Sequence, residues 1–190
     1  MSVPKVNTVV WLYHDHAEEL RRIARKNARA ERAWLAEQRE ALHLNPSDPT
    51  PEELRTEVLR LRPDNWPGES HMVEAAMRVR LSAPDLAGPW APFSATEVEA
   101  QRLSGRRVGS PNRNFSEKMA FDLAADVVDA ARLAAHRVSE PIIATMRAEK
   151  LIGPCPRRSR HALARKQELQ AQVYTVGRIV REAIATITGL

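Results

Sequence analysis

Apolar positions recur every three to four residues over most of the chain, and the elements they predict are helices. Over about 15–42 no Gly or Pro interrupts a run rich in Ala, Glu, Arg and Leu. Its stripe is thin: Leu20, Ile23, Ala24, Ala30, Trp34 and Leu42, broken by Asn27. Thr50-Pro51-Glu52-Glu53 supplies a cap, a first-turn Pro and a Glu three residues after the cap, so a second helix starts there and runs through Leu54, Val58 and Leu61 until Pro63 ends it. A third is expected over 69–81, with Met72, Val73, Ala76, Met77 and Val79 inward. Ser94-Ala95-Thr96-Glu97 repeats the capping pattern and starts a short helix stopped by Gly105.

In the second half, Asn114 or Ser116 caps a helix that runs to Val138, burying Met119, Leu123, Ala124, Val127, Val128, Ala131, Ala134, Ala135 and Val138. Ser139-Glu140-Pro141 restarts the helix with a kink, and Gly153-Pro154 ends it. The last helix runs to about Thr188. Its seam of Leu169, Val173, Val176, Val180, Ala183 and Ile187, widened by Ile179 and Ile184, suits bundle core or self-association, and a homodimer is expected. Only residues 6–13, with Val9, Val10, Trp11, Leu12 and Tyr13, read as a strand, or equally as an apolar arm packed on the helices. No internal repeat of about 20–50 residues is evident. The expected fold is therefore all-α: a helical bundle with long N-terminal and C-terminal helices and a basic interhelical linker.

Composition supports helices, because aromatics at 5% and seven Gly in 190 residues are poor material for a sandwich or barrel. Charge then divides the chain. The formal net charge is +5, but residues 51–100 hold five Arg against nine Asp or Glu, whereas 151–190 hold seven Lys or Arg against two Glu. With the Pro-rich connector over 82–93, this predicts an N-terminal lobe over 1–93 and a basic C-terminal lobe over 94–190.

The basic lobe opens with Gly105-Arg106-Arg107-Val108-Gly109-Ser110-Pro111-Asn112-Arg113. These nine residues resemble the short Gly-Arg-Pro-x-Gly-Ser-x-Asn-Lys element, related to AT-hooks, of bacterial and phage DNA-associated proteins, with Arg107 where that element has Pro. The resemblance implies Arg side chains entering a narrow minor groove while Gly allows close backbone approach. Arg102 precedes it, and the other reading of the segment is a solvated interhelical loop. A second basic cluster, Arg157, Arg158 and Arg160 with Arg165 and Lys166 a turn further on, opens the last helix, where cations oppose the local dipole and a phosphate would relieve the repulsion. Arg21, Arg22, Arg25, Lys26, Arg29 and Arg32 form a third basic face, which reads as a phosphate track or as a solvated helix surface.

Catalytic patterns do not emerge. His14 and His16 are two residues apart and diverge on a helix, Cys155 is the lone cysteine, and the row Asp122, Asp126 and Asp129 has no Gly-containing ligand loop, so ion pairing is its expected use. Phosphate-binding Gly loops and nucleophile elbows are missing from the sequence. No cofactor, metal or catalytic residue is expected. No run approaches about 18 apolar residues, and a cytoplasmic location without a membrane partner is expected. The expected function is non-enzymatic DNA binding by an accessory protein of a plasmid, phage or other bacterial mobile element, with DNA favoured over RNA. The alternative is a helical assembly subunit of a phage particle or larger complex.

Overall fold

The computed structural model describes residues 4–45, 47–97, 114–156 and 158–190. The described residues are mostly helical, with one two-stranded sheet, so the all-α expectation is corrected. The order is β1 (Lys5–Leu12), α1 (His14–Ala41), α2 (Glu52–Asn65), α3 (Glu69–Leu81), β2 (Glu117–Ala124), α4 (Ala125–Ala148), α5 (Arg160–Gln172) and α6 (Val176–Thr188). β1 and β2 pair antiparallel, from Lys5 opposite Ala124 to Leu12 opposite Glu117.

β1 is the Val-rich run expected from its composition. β2 replaces the first turns of the expected helix after Asn114. Met119, Phe121 and Leu123 alternate with Lys118, Ala120 and Asp122, so a strand buries the three apolar side chains on one face and leaves the other three exposed. Val10 and Leu12 line the same inner face from β1. That face lies on Ala17 and Leu20 of α1, Val73 and Met77 of α3, Val127, Val128 and Ala131 of α4, and Ile179, Val180, Ala183 and Ile184 of α6. One core thus draws on residues from both sides of position 93.

Each strand runs directly into a helix, and the two β-α units correspond. The step in residue number from Val9 to its partner Ala120 is also the step from His14 to Ala125, the first residues of α1 and α4. The same step carries Val10 to Phe121, Leu12 to Leu123, Ala17 to Val128 and Leu20 to Ala131, all buried. It also carries the ion pair of Glu18 and Arg21 to that of Asp129 and Arg132. A local twofold axis through the Val9–Ala120 pair, normal to the ribbon, therefore relates the two units. The repeat escapes a sequence scan because its copies share few identities and lie more than 100 residues apart.

Helices flank the ribbon on both sides. The N–H groups of Asp122 and Ala124 donate to Ser70 Oγ at 3.1 Å and Glu74 Oε2 at 2.9 Å, tying β2 to α3. Arg181 of α6 donates to the Trp11 carbonyl at 3.2 Å, tying α6 to β1.

Three further expectations change. Pro63 lies inside α2 rather than ending it, and α4 passes through Pro141 without the expected restart. The single long last helix is two, α5 and α6, parted at Val173-Tyr174-Thr175, where Thr175 caps α6 by accepting from the Arg178 N–H at 3.1 Å. The expected heptad seam is split as a result. Leu169 and Val173 join Met146, Leu151 and Ala162 in a second small core, while Val180 and Ala183 enter the main one. That seam is used within the chain.

The Ser94–Glu97 capping box is present: the Glu97 N–H donates to Ser94 Oγ at 3.2 Å and the Ser94 N–H to Glu97 Oε2 at 2.8 Å. Glu97 also receives Arg137 Nη1 at 2.6 Å, and the same guanidinium donates to the Ala91 and Pro92 carbonyls. Arg137 thereby holds the Pro-rich connector against α4. No helix of the described residues is long and apolar enough to cross a membrane.

Candidate nucleic-acid interface

Among the expected contact residues, Arg102, Arg106, Arg107, Arg113 and Arg157 lie outside the described residues. Arg158, Arg160, Arg165 and Lys166 gather where α4 meets α5. Ile142, Ile143 and Ile152 pack around the small core of Met146, Leu151, Ala162, Leu169 and Val173, which fixes the end of α4 against α5. Ser159 caps α5, its Oγ accepting from the Ala162 N–H at 3.2 Å. This presents Arg158 and Arg160, both exposed, at the helix start.

The corner gains two cations that the sequence did not single out. Arg147 sits in the last turn of α4, and Lys150 follows the helix end with φ 55, in the left-handed region that favours Gly. The Lys150 N–H donates to the Arg147 carbonyl at 3.0 Å and the Leu151 N–H to the Met146 carbonyl at 2.8 Å, closing the end of the helix. A basic residue in a helix's last turn was the available signal for Arg147. The left-handed turn at Lys150 left none. Residues 147–168 hold seven Lys or Arg against two Glu, an excess equal to the net charge of the whole chain.

What distinguishes this corner is the lack of compensation. Arg165 is tied to Glu149 at 3.3 Å and to Glu168 at 3.2 Å, and those bonds raise its pKa. Arg147, Lys150, Arg158, Arg160 and Lys166 make no ion pair with a described residue. The basic face of α1 behaves differently. Arg21 pairs with Glu18 and Glu117, Arg22 with Glu19, Arg25 with Glu18 at 4.0 Å, and Arg32 bonds the Ala28 carbonyl. Lys26, Arg29 and Arg32 make no ion pair with a described residue, so half of that face is a self-neutralised surface.

The other clusters are structural. His14 turns to Glu117 and His16 to Thr188, so the two imidazoles part as their spacing requires. Asp122 receives the Asn7 amide at 2.8 Å, Asp126 pairs with Arg78 at 2.9 Å, and Asp129 with Arg132. Among the described residues no group of three or more His, Cys, Asp or Glu could hold a metal. Arg80 bridges Asp85 at 2.6 Å and Glu182 at 2.8 Å, holding the Asp85 carboxyl far below the usual carboxylate range. Tyr174 OH donates to the same Asp85, and burial raises its phenol pKa.

A cleft of about 310 Å³ opens between Tyr13, His16, Phe115 and α6. Arg181 closes one wall with its guanidinium 4.1 Å from the centre of the Phe115 ring, and burial lowers its pKa.

The ribbon and the corner are separated by α4, whose 24 residues span roughly 36 Å at the helical rise. No protein-family model matches the chain, and no curated protein or solved structure matches it.

Proposed function

We propose that the chain is a non-enzymatic, cytoplasmic DNA-binding accessory protein of a plasmid, phage or other bacterial mobile element, and that the α4–α5 corner neutralises duplex phosphates. One observation carries this reading: five cations at that corner have no carboxylate partner among the described residues, whereas the other described Arg residues are largely paired. Uncompensated charge on a rigid corner raises the local potential, and a polyanion that binds there releases condensed counterions. The linker cations Arg102, Arg106, Arg107 and Arg113, as read from the sequence, would add further phosphate contacts. The span of α4, about 36 Å, matches one turn of B-DNA.

The test compares duplex affinity of the parent with a triple variant, R158A/R160A/K166A, and a control triple variant, R55A/R60A/R22A, at fixed salt. The corner variant should lose on the order of a hundredfold and the control less than about threefold. Equal effects would refute the assignment.

The assembly reading has one observation in its favour. Beyond Leu20, α1 contains no buried residue, and its distal half meets α2 through the Trp34 and Trp66 rings, 5.3 Å apart, and the Arg62–Glu31 pair. Such an arm could seat other copies of the chain, including in a homodimer. A large oligomer by light scattering that is indifferent to DNA would favour it.

A further inference from the structure

We infer that the outward face of the β1–β2 ribbon enters the major groove of duplex DNA, with the local twofold axis through Val9 and Ala120 set on a dyad of the duplex. The inference rests on the DNA-binding reading and adds the element that would read sequence.

The ribbon has one face unused. Its inner face is the core, and α3 and α6 flank its two edges. The outward face consists of three cross-strand rows: Asn7 with Asp122, Val9 with Ala120, and Trp11 with Lys118. All six residues are exposed, Val9 at 48% and Trp11 at 51%.

Size and chemistry favour a groove over a protein partner. The major groove is about 12 Å wide and admits a two-stranded antiparallel ribbon. The central row is short, so the backbone at Val9 and Ala120 can approach base edges, and their methyl groups suit the thymine methyl. The flanking rows carry the side chains that read bases. An Asn amide pairs with adenine, a Lys ammonium with guanine, and a carboxylate accepts from the cytosine amino group. A purely apolar docking face would not place Asn7 and Asp122 in one of the rows beside its centre and Lys118 in the other.

Symmetry sharpens the expectation. A duplex seen from the major groove has local twofold axes, and proteins with twofold symmetry match them with inverted half-sites. Here both halves come from one chain, and equivalent positions differ: Asn7 corresponds to Lys118, and Trp11 to Asp122. The target is therefore an inverted repeat with unequal half-sites.

The experiment selects duplexes with the full chain from a pool carrying a randomised core of about 20 base pairs, then footprints the enriched duplex with dimethyl sulfate, which methylates guanine N7 in the major groove. Enrichment of unequal inverted half-sites with guanine N7 protected between them is expected. N7A and K118A should each lose about tenfold or more on the selected duplex and less than about twofold on a scrambled one. Retention of the pool without enrichment, unprotected N7, or equal losses on both duplexes would overturn the ribbon assignment while leaving duplex binding intact. Failure to retain the pool would overturn both.

Discussion

The hydroxyl of Ser139, buried in α4, accepts the Tyr174 N–H at 2.8 Å and donates to the Tyr174 carbonyl at 3.1 Å. Tyr174 is the middle residue of the break between α5 and α6, so its backbone groups have no helical partner there. One side chain satisfies both. Ser139→Ala removes the acceptor and the donor from a site that is 1% exposed, and should cost about 1–3 kcal/mol. A lowered urea midpoint with unchanged slope checks this.

Phe121 is fully buried at the centre of β2 and touches the core that both strands share. Phe121→Ala should destabilise by about 3–5 kcal/mol. Ala120→Ser, on the exposed face one residue away, should change stability by less than about 0.5 kcal/mol. Thermal unfolding of the pair tests the strand assignment directly, because a helix through this segment would not alternate so sharply.

Acid should loosen the connector. Arg137 and the Ser94 groups hold the Glu97 carboxyl at about 2, below its ordinary 4.5. A depressed folded value means stability present above the unfolded value and lost as pH falls towards the folded one. Asp85, Asp126 and Glu74 are lowered in the same direction. The unfolding midpoint should stay level from about pH 7 to 5 and fall between about 4.5 and 2, and Glu97→Gln should flatten part of that fall.

Lys150 holds a left-handed φ that a Gly adopts without strain. Lys150→Gly should therefore stabilise by about 1 kcal/mol while reducing the magnitude of the salt slope of DNA binding by about 0.9. Calorimetry and a salt titration of the same variant read the two effects, and a variant that loses both stability and affinity would contradict this account of the corner.

The helices were legible because their apolar spacing and caps are local signals; 69–81 matches α3 residue for residue, and the Ser94–Glu97 box forms as its pattern requires. β2 was not. Glu117 to Ala124 is made of good helix formers, and its period of two only becomes decisive once β1, distant in sequence, offers a partner. The division at Tyr174 was hidden for a similar reason, since the buried Ser139 clamp that supports it is tertiary. In the candidate site, Arg158, Arg160, Arg165 and Lys166 could be read from charge density. Which cations remain unpaired could not, because Glu149 reaches Arg165 only after α4 and α5 pack.

The central claim is that uncompensated cations at the α4–α5 corner bind duplex phosphates. Fluorescence anisotropy of a labelled duplex, titrated with the full chain across a range of salt, tests it most directly. The five corner cations contribute about −4.5 to the slope of log K against log salt, and replacing Arg158, Arg160 and Lys166 by Ala should make the measured slope less negative by about 2.7. A slope near zero, or one that the triple replacement leaves unchanged, would contradict it.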